Sequence, residues 1–341
     1  MAGEIESEDI GAALRKQDHI TLAFKSQISL NQIDNRFYYD PILAAHPKKE
    51  KTNFTFLGKQ MNAPIWVSSM TGGTALARTI NQNLARACGE YGLGMGLGSC
   101  RQLLDSDEFL EDFSVRKFVG NQPLFANLGI AQVEKILFRG EVHKIELLVR
   151  KLEADGLIIH VNPLQEWLQP EGDHISRAPI DTISELLQIT DLKIIVKEVG
   201  QGMGYESLKA LFQLPLEAID FAANGGTNFA LLELLRSDET KYKTFQDLAA
   251  VGHSADEMVG FTNMIINELG AKMKCKQVII SGGVKNFLDG YYYVHKIQLP
   301  AIYGQASSFL KFAQDKYESL QKYVESQLQG LAVAQCFLKV K

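Results

Sequence analysis

The chain has 341 residues, of which 46% are hydrophobic and 22% charged, proportions that suit a large buried core and exclude a disordered or fibrous protein. A net charge of -5 without a long basic run gives no electrostatic footprint for nucleic acid or an anionic membrane surface as partner. Four widely spaced cysteines, Cys88, Cys100, Cys275 and Cys336, form no CxxC pair, which points to a reduced, cytoplasmic protein rather than a disulfide-stapled one.

The N-terminal sequence MAGEIESEDIGAALRKQDHI opens on acidic residues, where a secretory signal needs a basic segment and then an apolar one. No apolar run approaches the roughly 20 residues that span a bilayer. Residues 1–60 carry Pro41 and Pro47 and end in the polar stretch HPKKEKTN; they read as an N-terminal extension with local structure. From 61 to 341 a different rhythm holds. Eight short apolar runs end in glycine or a polar residue: IWVSSM (65–70), LGMGLGS (93–99), LFANLG (124–129), LIIHVN (157–162), KIIVKEVG (193–200), AIDFAANGG (218–226), VIISGG (278–283) and AIYGQ (301–305). Helix-like segments lie between them, such as Val133 to Leu152 and Ile183 to Gln188. Strands alternating with helices imply a parallel sheet, and eight such units predict closure into a (β/α)8 TIM barrel behind the N-terminal extension. Residues 163–181 and roughly 234–256 are long excursions on the strand C-terminal side, where a barrel keeps its active site.

The strand ends carry the chemistry. After Ser69-Met70-Thr71-Gly72-Gly73 come Gly98-Ser99-Cys100-Arg101 and Ala126-Asn127-Leu128-Gly129. Glycines allow flat approach of a ring, the polar side chains offer donors and acceptors to its edge, and Arg101 can fork onto phosphate. Cys100 has no general base nearby and reads as structural. The fourth run ends in His160-Val161-Asn162-Pro163-Leu164-Gln165-Glu166. Period-two alternation puts His160 and Asn162 on one face, and the turn at Pro163 presents Gln165 and Glu166. Such a rim can hold a hard cation through Glu166 and place hydrogen bonds near a reacting carbon; a solvated loop with a core histidine fits the same local sequence. Lys197-Glu198 ends an apolar strand, so Lys197 can stabilise charge on a reduced flavin ring or pair at the surface. Three glycine-rich ends follow: Asn224-Gly225-Gly226-Thr227, Ser281-Gly282-Gly283 and Gly304-Gln305-Ala306. The last two lie after strands seven and eight, where barrels build phosphate sites from main-chain N–H groups. Arg15 and Lys16 concentrate cations outside the barrel; by themselves they read as an exposed helical face.

Taken in order, RKQDHI, SSMTGGT, GLGSCR, ANLG, HVNPLQE with QPEGD, KEVGQGMG, GGTNFALLE and SGGV resemble the type 2 isopentenyl-diphosphate isomerase family across about residues 15–310. The resemblance implies a cytoplasmic FMN-containing barrel, a homo-oligomer (tetramer or octamer), that interconverts isopentenyl and dimethylallyl diphosphate in isoprenoid biosynthesis. It implies Mg2+, and FMN kept reduced by NADPH although the reaction has no net redox change, with reduced FMN as proton donor and acceptor. Carried over by position, Ser69, Met70, Thr71, Ser99, Asn127, Lys197 and Thr227 contact FMN, and Gly282, Gly283, Gln305 and Ala306 hold its phosphate. Arg15, Lys16, Ser99, Cys100, Arg101, His160, Asn162 and Gln165 face the substrate, and Glu166 binds magnesium. Gln165, Glu166, His160 and Lys197 are the catalytic candidates. Cys100 stands where the family commonly has Gln, Ala222 where it has a small hydroxyl, and LPAIYGQASSFL departs from the usual GAD ending. The competing expectations are an FMN-dependent oxidoreductase of a small hydroxy acid on the same barrel, which typically places a histidine after the late strands, and a barrel that binds FMN or phosphate without catalysis.

Overall fold

The computed structural model describes residues 5–48, 53–68 and 75–341. Two compact units divide the chain, Met1–Asp40 with Leu338–Lys341, and Pro41–Phe337. In the first, helix Ile5–Leu22 precedes strand Phe37–Tyr39, which pairs antiparallel with Leu338–Val340.

The second unit is a (β/α)8 barrel. Its strands are β1 (Ile65–Val67), β2 (Gly94–Gly96), β3 (Leu124–Gly129), β4 (Gly156–His160), β5 (Ile194–Lys197), β6 (Ala218–Asp220), β7 (Val278–Ser281) and β8 (Ala301–Gln305), one from each expected run. They close in sequence order, β8 pairing parallel with β1. Strands of such a barrel are covered by helices outside and fill the interior inside, which is why they read as apolar runs rather than alternating ones. The interior cluster takes Trp66, Phe125, Ile158, Ile195, Ala218, Ile279 and Ile302 from seven of the strands. Phe56, Leu57 and Met61 of the hairpin Phe54–Phe56/Lys59–Met61 join this cluster. The hairpin sits at the strand N-terminal end, since Leu57 N–H donates to Gln277 Oε1 (2.9 Å), one residue before β7.

Two residues beyond each interior apolar side chain, the period of the strand brings another one inward. From Phe125, Ile158, Ile195, Ala218 and Ile279 that step reaches Asn127, His160, Lys197, Asp220 and Ser281. Register supports the layer: His160 is paired with Lys197 and Lys197 with Asp220. The barrel thus carries a polar tier at its C-terminal mouth above an apolar one.

Two connecting segments differ from expectation. Val133 to Leu152 is not one helix; Ile130–Phe138 ends at a turn with Gly140 at φ +67°, and His143–Lys151 follows. The 234–256 excursion is largely helical, with Phe229–Arg236 and Glu239–Ala249 forming a hairpin before helix Ala255–Leu269. Asn228, Asp238 and Ser254 each cap the following helix through a side-chain oxygen, the signal that marks these starts. With the short helix Pro163–Leu168, the hairpin forms a satellite core of Leu168, Ala230, Leu234 and Ala249, and Trp167 meets Phe245 edge-on at 5.0 Å. No helix among the described residues is long and apolar enough to cross a membrane.

Candidate functional site

The polar tier is hydrogen-bonded from the backbone outward. Asn127 Nδ2 donates to Leu97 O (2.9 Å), which fixes the amide so that Oδ1 faces His160 Nδ1 at 2.8 Å. An amide oxygen only accepts, so Nδ1 carries the hydrogen and Nε2 is left as an acceptor. Burial, reinforced by the Lys197 charge, pushes the imidazole down to about 3, so His160 is neutral at physiological pH. Because the unfolded imidazole titrates at about 6.5, the unfolded chain binds more protons between that value and about 3. Stability from this site is full above that window and is lost as the pH falls through it. The melting temperature of the protein is expected to drop more steeply between pH 7 and 5 than that of His160→Gln; parallel slopes in thermal melts would reject the assignment.

Lys197 is buried, with Nζ donating to Glu198 O at 2.8 Å. Glu198 turns away from the mouth: its Oε2 accepts the N–H groups of Gly200, Gln201 and Gly202 at 2.6, 2.6 and 3.0 Å and shapes the KEVGQGMG loop. Asp220, fully buried beside Lys197 in the tier, accepts from Ser281 Oγ, which itself accepts from Ala222 N–H at 2.9 Å. Burial pushes the Asp220 carboxyl upward, with the Lys197 charge opposing it.

Two hollows meet at this tier. A cleft of about 760 Å³ is lined by Lys197, Ala222, Gly225, Gly226, Thr227, Ser281, Gly282, Gly283, Gln305 and Ala306, together with Ser68. Its floor is main chain: a Cβ on Gly225 or Gly226 would lie 3.2 Å from Gly283. Ser68 is 5% exposed, and its Oγ has no hydrogen-bond partner among the described residues. The second hollow, about 470 Å³, gathers Ser99, Asn127, His160, Gln165 and Lys197. Lys197, Val199 and Phe229 line both, so the two hollows adjoin.

The rim is built by helix Pro163–Leu168. Asn162 precedes it, buried, with Nδ2 donating to Gln165 Oε1 (3.1 Å) and Glu166 Oε1 (3.0 Å). Glu166 Oε2 accepts from Asp173 N–H at 2.7 Å. Gln165 Nε2 reaches Glu233 Oε1 at 3.4 Å, and the buried Glu233 is paired with Arg236. Among the described residues no three of His, Cys, Asp and Glu gather as a metal cage. Glu166 is a single half-buried carboxylate, the kind of donor that holds magnesium when substrate phosphates complete the shell.

The structure brings Ser99, Asn127, His160, Gln165, Lys197, Thr227, Gly282, Gly283 and Ala306 to the two hollows and puts Asn162 and Glu166 on their rim. Gln305 lines the first, but its side-chain ends are engaged by Val284 O and Tyr323 Oη. Cys100 lies inside the core: it is fully buried, its thiol donates to Gly98 O, and burial pushes it up to about 12. Arg101 pairs with Asp173. Arg15 and Lys16 are exposed on helix Ile5–Leu22 of the other unit, and Ser69, Met70 and Thr71 lie outside the described residues. Sequence reasoning missed Ser68, Asp220, Glu233 and Asp173 as parts of the site. For Asp220 the signal was present: counting two residues on from an interior apolar position exposes it. Glu233 closes the quoted GGTNFALLE run, and Asp173 the QPEGD run, but neither was given a role, because nothing local says that either meets the rim.

No family model matches the chain. It is 33% identical over 317 residues, covering 90% of this chain and 87% of the relative, to isopentenyl-diphosphate delta-isomerase of Rickettsia peacockii (strain Rustic). The enzyme of the same name from Rickettsia prowazekii (strain Madrid E) is 33% identical over 319 residues, 90% of this chain and 87% of its own. Among solved structures the barrel resembles flavocytochrome b2 with sulfite bound (TM-score 0.60, 16% identity, 88% of this chain and 72% of that one). It also resembles a mandelate oxidase variant with (S)-mandelic acid (TM-score 0.55, 13% identity, 90% and 87%); at these identities the likeness is one of fold. With a third of its residues shared over nine-tenths of its length, the chain belongs to the isopentenyl-diphosphate delta-isomerase family.

Proposed function

We propose that this protein is a flavin-dependent, type 2 member of its family and interconverts isopentenyl diphosphate and dimethylallyl diphosphate. The observation that carries this most is that the glycine-floored cleft and the polar hollow lie side by side with Lys197 lining both: a flat cofactor in the first borders a small substrate in the second. The cleft fits FMN on its own features. Its main-chain floor leaves no room for side chains, Ser68 Oγ is buried without a partner among the described residues, and Lys197 supplies a positive charge. When bound and reduced, FMN supplies exchangeable protons at N5 and an electron-rich ring that stabilises positive charge developing on an alkene.

The chain's own residues do the rest. Ser69, Met70, Thr71, Ser99, Asn127, Lys197 and Thr227 orient the ring. Gly282, Gly283 and Ala306 hold its phosphate through main-chain N–H groups, and Gln305, whose amide is engaged by Val284 O and Tyr323 Oη, shapes the cleft beside them. Glu166 holds magnesium against the substrate diphosphate, which Arg101 grips as a charge-assisted donor. Neutral His160, with Nε2 as acceptor, positions a proton-bearing partner rather than clamping phosphate, and Asn162 holds Gln165 and Glu166 at their places on the rim.

The hydroxy acid oxidoreductase reading draws on the structural likeness to flavocytochrome b2 and mandelate oxidase. The late histidines oppose it. His253 stacks edge-on with Phe261 and His295 is held by Tyr291 O, and neither lines the two hollows. The deciding experiment reduces the purified protein anaerobically with dithionite or NADPH, adds isopentenyl diphosphate with Mg2+, and follows product and flavin spectrum together. Many turnovers per flavin with the reduced spectrum persisting are expected. Flavin reoxidised in step with product, or equal activity from the oxidised form, would reject the isomerase.

A further inference from the structure

The segment after the rim helix folds back on it. Gly172 approaches so closely that a Cβ there would lie 1.8 Å from Glu166 O, and the next residue, Asp173, donates its N–H to Glu166 Oε2 at 2.7 Å. The Asp173 carboxylate, only 12% exposed, then collects three donors from two other elements. Arg101, shortly after β2, meets Oδ2 at 3.1 Å. Gln132 Nε2 donates to Oδ2 at 2.7 Å, and Lys135 Nζ pairs with Oδ1. Gln132 and Lys135 stand three residues apart on helix Ile130–Phe138, so they share a face. Gln132 is buried, whereas the Arg101 side chain is 55% exposed and Lys135 50%. One half-sunk carboxylate thus holds two exposed cations and, through its own N–H, one carboxylate of opposite role.

We infer that Asp173 is a positioning residue that fixes Arg101 beside Glu166, so that the cation meeting the diphosphate and the carboxylate holding its magnesium act as one preorganised unit. The inference rests on the diphosphate reading above. A free arginine side chain samples many rotamers, and binding must order it at a cost; an arginine already held by a fixed carboxylate has lost that freedom in advance. Its guanidinium has five N–H donors in a planar fork, so one bond to Asp173 leaves others for phosphate oxygens. Because Asp173 acts on the ligand only through Arg101 and Glu166, its removal has no further effect on the arginine's share of binding once that arginine is gone.

The test is a double-mutant cycle on the full chain with magnesium pyrophosphate as probe, read by isothermal titration calorimetry and needing no turnover. Asp173→Asn keeps the main-chain N–H to Glu166 and removes the charge; Arg101→Gln removes the cation. Each is expected to weaken binding about tenfold, and the double variant to bind within about twofold of Arg101→Gln. Circular dichroism melts establish that the variants fold. Should Asp173→Asn fail to fold, Gln132→Met, which loosens the carboxylate without altering charge, is expected to weaken binding in the same direction and again non-additively with Arg101→Gln. Additive losses, an unchanged affinity or tighter binding by Asp173→Asn would overturn the inference, tighter binding marking Asp173 as a competitor for Arg101. If the unmodified protein does not bind magnesium pyrophosphate, the diphosphate reading itself falls and this inference with it.

Discussion

Glu166→Gln is expected to lower turnover of isopentenyl diphosphate by at least about a hundredfold, since a metal-held phosphate interaction is worth several kcal/mol and about 2.7 kcal/mol already corresponds to that factor. Two effects combine. The substitution removes the carboxylate charge that Glu166 brings to the rim. It also puts an amide nitrogen opposite a donor, because the two Glu166 oxygens accept from Asn162 Nδ2 and Asp173 N–H, and a glutamine can accept at only one end. The other end loses its hydrogen bond and turns away, so the remaining activity is expected to require a higher magnesium concentration. The rim helix does not line the glycine-floored cleft, so flavin content should stay at the level of the unmodified protein. Turnover assays across a magnesium series, with flavin absorbance as the control, decide it; unchanged turnover at limiting magnesium would remove Glu166 from the site.

Gly282→Ala has the other large expected effect, on the fold and the cleft together. Gly282 sits at φ +86°, and an added Cβ would lie 2.0 Å from Ala223 O and 2.2 Å from Ala223 N. The left-handed conformation costs an L-residue about 1–2 kcal/mol, and overpacking against atoms that cannot yield adds about 1–3 kcal/mol. These are backbone atoms of the neighbouring strand end, held by the Ala223 N–H to Ser281 O hydrogen bond of 2.8 Å, so the methyl has no direction of escape. The melting temperature is expected to fall by roughly 5–15 °C, and flavin to be lost on dialysis as Gly283 is pushed out of the cleft floor. Gly260→Ala is the control: it lies inside helix Ala255–Leu269 with nothing within 4 Å of its Cβ position, and should stabilise by about 0.5–1 kcal/mol. Equal melting temperatures for Gly282→Ala and the parent would show that the strand ends can separate.

The two substitutions also separate what could be read from residues in order from what could not. Gly282 was visible as one of the glycine-rich ends after strands seven and eight, a position where the barrel's architecture already implies close backbone approach. Its partner across the cleft was not, because no local pattern says which strand end an added methyl would strike. Glu166 was visible from the turn at Pro163, yet the Asp173 main chain that holds it comes from a fold-back whose geometry depends on Gly172.

The sequence by itself determined the barrel: eight apolar runs, each doubly buried, with helices between them, leave a closed parallel sheet as the arrangement that covers both faces of every strand. The strands' period of two also put His160 and Asn162 on one face, whereas the tier of Asn127, His160 and Lys197 above the apolar one emerged from the strand register. Only the tertiary structure decided which polar groups meet there. The pairing of Asp220 with Ser281 spans 61 residues, and Gln165 with Glu233 spans 68. The helical hairpin that supplies Glu233 owes its place to a small satellite core with Leu168, not to its own helix propensity. The thiol of Cys100 turned inward for the same kind of reason: it is fully buried in the main core cluster, to which Leu97, Leu103 and Leu128 also belong, and a small apolar side chain gains more from that packing than from the mouth. Hydrophobic burial is written into periodicity because it needs only a face, whereas a hydrogen-bonded site needs particular atoms from distant segments within about 3 Å, a condition that the finished packing alone satisfies.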